Sequence, residues 1–272
     1  MTQNSNGIIK GRRLAYNASA QKRYERDLDL LVSEMLEETT NAVINFFKKP
    51  VAKEFFAEDA SVASQARILM SELSKKFEES FKTESKFLSE KMVKNQNKIS
   101  ATALKGSLKS MSEKLTLNTN FLTKDLKETL KASVTENVSL ITSIAQRYLK
   151  QVEGAVMRSI STGRGLESLV PALQKQKGIT YRQAKNIALD QTRKVYNNIN
   201  RDRMNKLGIE KYEWLHSGGG QKPRKDHIAM NGKIYSLKKP PIIDKKTGER
   251  GHPGQAINCG CTMRPILKFN EG

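Results

Sequence analysis

The spacing of hydrophobic side chains predicts three long helices in the first part of this chain. Apolar residues recur every three or four positions, the spacing of one helix face, over residues 19–48, and Pro50 ends that pattern. A second helical region begins near Lys53 and continues to Met92. A third covers residues 121–156. Each stripe is more typical of a face packed into a core than of a face that binds a partner, although both interpretations fit the spacing.

The helices together define the largest part of the predicted architecture. Residues 51–170 contain no proline, and no alternating strand pattern appears there. We therefore expect residues 19–160 to form an elongated helical region, either a bundle or a set of extended hairpins. The polar residues 1–18 are expected to be a flexible N-terminus.

A break in the helical pattern follows at residues 162–165, which read Thr-Gly-Arg-Gly. Gly178 is expected to end the next helix, and Thr180 with Gln183 has the spacing of a capping box that begins another. The two helices predicted here cover residues 166–177 and 180–207.

Beyond Gly208 the character of the sequence changes to short strand signals separated by long loops. Residues 209–216 alternate loosely, and residues 262–267 carry a further strand signal. Strands and loops are expected over 209–268, within a compact C-terminal domain of residues 161–272. The predicted fold class is therefore mainly α with a small α+β C-terminal domain.

Charge suggests a polyanionic partner. The 272 residues carry a net charge of +20, which attracts nucleic acid, although lysines spread along the chain are also typical of a solvated helical surface. No apolar run is long enough to span a membrane, and no secretory signal follows Met1. Contact with duplex DNA through phosphates would be independent of sequence and sensitive to salt. The candidate DNA-binding residues are Lys222, Lys225, Lys233, Lys245 and Lys246.

Soft metal-binding side chains are confined to the C-terminal domain. Two cysteines one residue apart are poorly placed to form a disulfide with each other, so we expect reduced thiols or metal ligands. A tetrahedral structural Zn²⁺ prefers this mixture of thiolates and imidazoles, with His216 as a possible replacement for His252. Alternatively, the cysteines are small residues on a strand face and His227 hydrogen-bonds within a turn. The candidate metal ligands are His227, His252, Cys259 and Cys261.

A second chemical interpretation is a metal-dependent DNA nuclease. Asp226-His227 is similar to the Asp-His pair of histidine-type nucleases, in which the histidine activates water and a metal holds the phosphate. The residues after Cys261 offer no helix with a second ligand. The sequence also contains no phosphate-binding loop and no serine elbow, so a non-enzymatic protein is favoured.

Several motifs taken together resemble the Mu F-like minor head proteins of tailed phages, over about residues 150 to 268. That family usually has a basic residue between the two cysteines, whereas this chain has Gly260. The residues that carry the resemblance are Gly163-Arg164-Gly165-Leu166, the helix from Ala184 to Gly208, Trp214, Arg224-x-x-His227, Gly232-Lys233, and Pro253 with Asn258-Cys259-x-Cys261 and Pro265.

The resemblance implies a virion assembly protein rather than an enzyme. Such a protein is present in few copies, contacts the portal and the major capsid or scaffolding protein, and assists head assembly and DNA packaging or ejection. It would lie in the head interior or at the portal vertex, and in the host cytoplasm during assembly. Some relatives carry a toxin after the shared region, which we do not expect here because the sequence ends soon after Pro265. The structural motif residues are Arg224, Gly232, Asn258 and Pro265. The site expected to fix the terminal fold consists of Arg224, His227, Asn258, Cys259 and Cys261.

Overall fold

The structure is a computed structural model that describes residues 8–48, 59–113, 115, 117–218 and 223–268. Long helices are followed by a small strand-containing region, which confirms the predicted fold class. None of the helices in these ranges combines the length and apolar composition needed to cross a membrane. The helices are α1 (Ala18–Lys48), α2 (Asp59–Lys109), α3 (Lys124–Ser161), α4 (Gly165–Lys206) and the short α5 (Lys225–Ala229).

Side chains that cap the first turn explain where two of the helices begin. Asn17 precedes α1, and its side-chain oxygen accepts a hydrogen bond of 2.8 Å from the backbone N–H of Ala20. Thr123 precedes α3 in the same way, with its hydroxyl oxygen 3.2 Å from the backbone nitrogen of Leu126. Each cap satisfies one N–H group that has no partner within its own helix.

Helix α4 corrects the prediction of two separate helices at residues 166–177 and 180–207. It is continuous through Pro171 and Gly178. Thr180 acts as an interior residue rather than as a cap, because its hydroxyl donates to the carbonyl of Gln176 at 2.8 Å. A glycine inside a helix costs only about 1 kcal/mol, which the burial of Leu173 and its neighbours offsets.

The strands form one four-stranded antiparallel sheet and one two-stranded sheet. They are β1 (Ile8–Lys10), β2 (Lys211–Leu215), β3 (Ile234–Ser236), β4 (Ile242–Asp244), β5 (Glu249–Arg250) and β6 (Thr262–Lys268). The order in the larger sheet is β1-β6-β2-β3, and β4 pairs with β5 in the smaller one. The central strand β6 runs antiparallel to both of its neighbours, with Trp214 of β2 opposite Met263.

The N-terminal segment corrects the prediction of a flexible N-terminus for residues 8–18, while residues 1–7 lie outside the described ranges. Ile8 pairs with Lys268, at the far end of the chain. Leu14 is fully buried, and its backbone N–H donates to the carbonyl of Met263 at 2.9 Å. Few apolar residues mark this segment in the sequence, and the edge of β6 supplies the hydrogen-bond partners that order it.

The chain divides into two compact units, and the boundaries between them fall inside the long helices. This division differs from the predicted one, in which a helical region ends at residue 160. Segments distant in sequence pack around the larger sheet, so a sequential boundary does not separate them. The first unit contains Met1–Lys22, Lys91–Val134 and Leu189–Gly272, and the second contains Arg23–Glu90 and Thr135–Ala188.

Each unit has its own core. In the second unit the apolar stripes of the helices are buried, including Val32, Phe77 and Ile141, as the core interpretation predicted. In the first unit the core combines helix residues with the inner face of the larger sheet. Its buried members include Leu14, Leu104, Leu108, Tyr196, Met204, Tyr212, Trp214, Cys259, Cys261 and Met263.

Candidate functional site

The short helix α5 places His227 beneath the larger sheet. Arg224, which precedes the helix, has extended backbone angles of φ −68° and ψ 125°. After the helix, the backbone N–H of Gly232 donates to the carbonyl of Trp214 at 2.8 Å, which fastens the turn to β2. The imidazole of His227 is 3% exposed and lies in edge-to-face contact with the Trp214 ring, with centroids 5.3 Å apart.

The loop before β6 brings both cysteines to the same place. Asn258 has a φ of 57°, a left-handed conformation that asparagine tolerates better than most residues. Its backbone N–H donates to the carboxylate of Asp190 on α4. The guanidinium of Arg224 donates to the carbonyl of Ile257 at 2.9 Å. Of the residues expected to fix this fold, Arg224 and Asn258 therefore hold the cysteine loop against its surroundings.

Three ligand-type atoms converge at this point. The Nδ1 atom of His227 lies 3.4 Å from the sulfur of Cys259 and 3.6 Å from the sulfur of Cys261. All three atoms lie within 4.8 Å of one another. Both cysteines are free thiols and are buried. We refer to His227, Cys259 and Cys261 as the His-Cys cluster.

The structure corrects the predicted ligand set by leaving out His252. Its Nδ1 atom lies 3.0 Å from the Tyr212 hydroxyl, and its ring also bonds the backbone carbonyl of Leu237. Burial, reinforced by the positive charge of Arg201, lowers the pKa of His252 to about 4, so the ring stays neutral. Through these hydrogen bonds, His252 stabilises the core. His216 is also outside the cluster, because its Nδ1 accepts from the backbone N–H of Gly218.

The two thiols influence each other's ionisation. A hydrogen bond from Cys261 stabilises the thiolate of Cys259 and lowers its pKa, an effect to which His227 also contributes. The pKa of Cys261 is raised because its thiol donates that bond and because it is buried. One thiolate therefore forms well before the other as the pH rises.

Three polar residues that support the cluster were not predicted from the sequence. The Tyr16 hydroxyl donates to the backbone carbonyl of Cys261 at 2.5 Å. The side-chain amide of Asn197 donates to the same carbonyl at 3.3 Å and to the Tyr16 oxygen. The third is Asp190, whose carboxylate holds the backbone of Asn258. The sequence offered one signal for Asn197, because this polar residue falls among the inward-facing apolar positions of α4.

The Asp226-His227 pair does not have the arrangement expected of a nuclease. The carboxylate of Asp226 accepts a hydrogen bond of 3.2 Å from the backbone N–H of Lys245 and lies 3.8 Å from its ammonium nitrogen. His227 is buried, with Nδ1 directed at the two sulfurs, and its Nε2 has no hydrogen-bond partner among the described groups. Neither nitrogen is placed to activate a water molecule against an accessible phosphate.

The predicted DNA-binding lysines are distributed over the surface of the first unit. Lys225, Lys233, Lys245 and Lys246 are exposed, and Lys245 is paired with Asp226. Lys222 lies outside the described residues. Pro265 lies within β6, where its carbonyl accepts from the backbone N–H of Gly11 at 3.0 Å.

Comparison with known proteins identifies the segment that contains the His-Cys cluster. Residues 150–264 match the family described as "Phage Mu protein F like protein", which confirms the predicted resemblance over that segment. An uncharacterized protein of Haemophilus influenzae is 30% identical over 125 residues, which are 46% of this chain and 26% of that protein. The chain thus aligns with about a quarter of this curated relative. No solved structure is significantly similar to the chain.

Proposed function

Residues 150–264 form a Mu F-like region, and from that premise we propose that this chain is a head morphogenesis protein of a tailed phage. The match over this segment is the observation that carries the proposal. It covers all of α4 and the cysteine loop, and it includes every residue of the His-Cys cluster. In this role the chain acts by binding other head components rather than by catalysis.

The proposed partners are the portal protein and either the major capsid protein or the scaffolding protein. The chain would then be found in the virion, in the head interior or at the portal vertex, and in the host cytoplasm during assembly. Its long helices, with polar faces rich in lysine and glutamate, offer extended surfaces for such contacts.

Particle composition tests the assembly role. Proheads and DNA-filled heads would be purified from the phage or induced prophage that encodes this chain, and the chain would be quantified by mass spectrometry. We expect a small, fixed number of copies relative to the portal protein in both kinds of particle. The matched control is a particle preparation from a deletion of this gene complemented in trans. Absence from both kinds of particle would refute the proposal.

Contact with DNA is the second part of the proposed role. It is supported by the net charge of +20 and by the exposed lysines near α5 and β4. In filter binding we expect affinity for duplex DNA to fall steeply as salt is raised, without preference for sequence. Affinity that does not change with salt would exclude phosphate contact.

Matched charge reversals locate this contact. The variant Lys225→Glu/Lys233→Glu/Lys246→Glu should weaken binding and reduce its salt dependence by about three counterions. The control Lys75→Glu/Lys82→Glu/Lys86→Glu makes the same change in net charge on exposed residues of α2. Equal effects of the two variants would show that only total charge matters, and would refute a DNA surface at these residues.

The nuclease alternative is disfavoured by the burial of His227 and by the engagement of Asp226 with Lys245. It predicts nicking of supercoiled DNA in the presence of a divalent cation, with loss of nicking in Asp226→Asn. Nicking that this variant abolishes would favour the nuclease over a purely structural role.

A further inference from the structure

The side chains of the His-Cys cluster are a donor set suited to a soft metal ion. Thiolate sulfur and imidazole nitrogen are the preferred ligands of Zn²⁺, whereas Mg²⁺ and Ca²⁺ take oxygen ligands. The three side chains are each at most 3% exposed, and both sulfurs are free of disulfides. A buried site with two thiols and one imidazole therefore selects for zinc over the harder cations.

The distances within the cluster match those of a tetrahedral site. With zinc–sulfur and zinc–nitrogen bonds of about 2.3 and 2.0 Å, tetrahedral angles place ligand nitrogen and sulfur roughly 3.5 Å apart. The observed separations from Nδ1 of His227 are 3.4 Å to Cys259 and 3.6 Å to Cys261. Both nitrogen–sulfur distances thus match the edges of a coordination tetrahedron.

A shared metal ion explains the position of two sulfurs beside one nitrogen better than hydrogen bonding does. A neutral imidazole nitrogen carries either one proton or one lone pair in the ring plane, so it completes one good hydrogen bond. Here both Cys259 and Cys261 approach the same Nδ1 atom at similar distances. Similar distances from one nitrogen to two sulfurs are expected when all three atoms coordinate the same ion.

The cluster joins segments that lie far apart along the chain, beside the hydrogen bond from Arg224 to the Ile257 carbonyl. His227 is on α5, whereas the cysteines precede β6, and 34 residues separate His227 from Cys261. Between them lie long loops, two short strands of the smaller sheet and the three-residue strand β3. A metal that binds only the folded arrangement of these segments adds its binding free energy to the stability of the fold.

We propose that His227, Cys259 and Cys261 bind one structural Zn²⁺ that fixes the cysteine loop to α5. A water molecule completes the four-coordinate shell, and His252 takes no part because it lies outside the cluster, with its Nδ1 atom 3.0 Å from the Tyr212 hydroxyl. Because each ligand side chain is at most 3% exposed, no substrate reaches the metal, and the site holds the terminal fold in place.

Metal content of the full-length protein, purified under reducing conditions, tests the site. We expect about one zinc per chain in the wild type, less than about a tenth of that in Cys261→Ser and Cys259→Ser, and full occupancy in His252→Gln. His252→Gln is the matched control, because it removes a buried histidine of the same unit that lies outside the cluster.

Cobalt substitution of the wild type keeps the test independent of whether the variants fold. Co²⁺ added to the metal-free, reduced protein should give the intense visible bands of a tetrahedral thiolate site and a sulfur-to-metal charge-transfer band, and zinc should displace it. X-ray absorption at the zinc edge should show two sulfur neighbours and two nitrogen or oxygen neighbours. A reduced, folded wild type that takes up neither metal, isolation of the cysteines as a disulfide, or loss of zinc in His252→Gln equal to that in Cys261→Ser would overturn the proposal.

Discussion

Replacement of Gly254 by alanine should destabilise the first unit more than the same change at other turns. Gly254 has a φ of +84°, and a Cβ atom there would lie 2.2 Å from the side-chain nitrogen of Asn197. Asn197 has little freedom to move, since it is buried and donates to Tyr16 and to the carbonyl of Cys261. The substitution therefore adds a steric conflict to the backbone strain.

The magnitude follows from three contributions, namely backbone strain, overpacking and the loss of hydrogen bonds by Asn197. An alanine at positive φ costs about 1 kcal/mol, and overpacking of a well-packed site costs roughly 1–3 kcal/mol. Displacement of Asn197 leaves buried polar groups without partners, at about 1 kcal/mol or more. We expect Gly254→Ala to reduce the free energy of unfolding by about 4 kcal/mol. Gly248→Ala is the control, because its φ is +73° and no atom lies within 4 Å of its added Cβ.

Trp214 provides the assay. It is the single tryptophan of the chain and is fully buried in the first unit, so its fluorescence reports unfolding around the His-Cys cluster. Urea titrations of both variants would be followed by this signal, and Gly248→Ala should lose about 1 kcal/mol. Asn197→Ala combined with Gly254→Ala should cost less than the sum of the single changes, because it removes the atom that clashes. Equal losses for the two glycine variants would refute the argument from the Asn197 contact.

Two further predictions concern buried ionisable groups of the first unit. The pKa of His252 is about 4 in the folded chain and roughly 6.5 in the unfolded chain, so the unfolded state binds the proton first as the pH falls. The neutral ring therefore contributes its full share to the free energy of unfolding above pH 6.5. That contribution is lost as the pH falls towards 4, a change of up to about 3 kcal/mol. His252→Gln should flatten the dependence of the urea midpoint on pH over that range, and an unchanged dependence would show that protonation of His252 is not its cause. Arg203 is fully buried and donates to the Thr119 carbonyl at 2.7 Å and to the Asn97 side chain at 2.7 Å. Arg203→Met should cost about 2–4 kcal/mol and speed amide hydrogen exchange around Thr119, and unchanged exchange there would show that this contact does not order the segment.

The sequence by itself determined the elements whose signals are local. A period of 3.6 residues marked the long helices, because one face of each must be buried whatever it packs against. The cysteine spacing and the position of His227 identified all three members of the His-Cys cluster, since the choice of ligand types is chemical and needs no coordinates. The motifs from Gly163 to Pro265, taken together, carried the Mu F-like resemblance, and the family match confirms it over residues 150–264.

Only the tertiary structure decided the features that depend on pairing between distant segments. Strand β1 joins β6 because an edge of the sheet is free there, and nothing within residues 8–18 specifies that partner. His252 and His227 look equivalent in the sequence. In the structure, His252 is hydrogen-bonded to the hydroxyl of Tyr212, whereas His227 lies beside the two sulfurs. Helix α4 runs through Gly178 because packing outweighs a local penalty of about 1 kcal/mol. Local propensities differ by small free energies, so burial against residues far along the chain decides which of two locally similar structures forms.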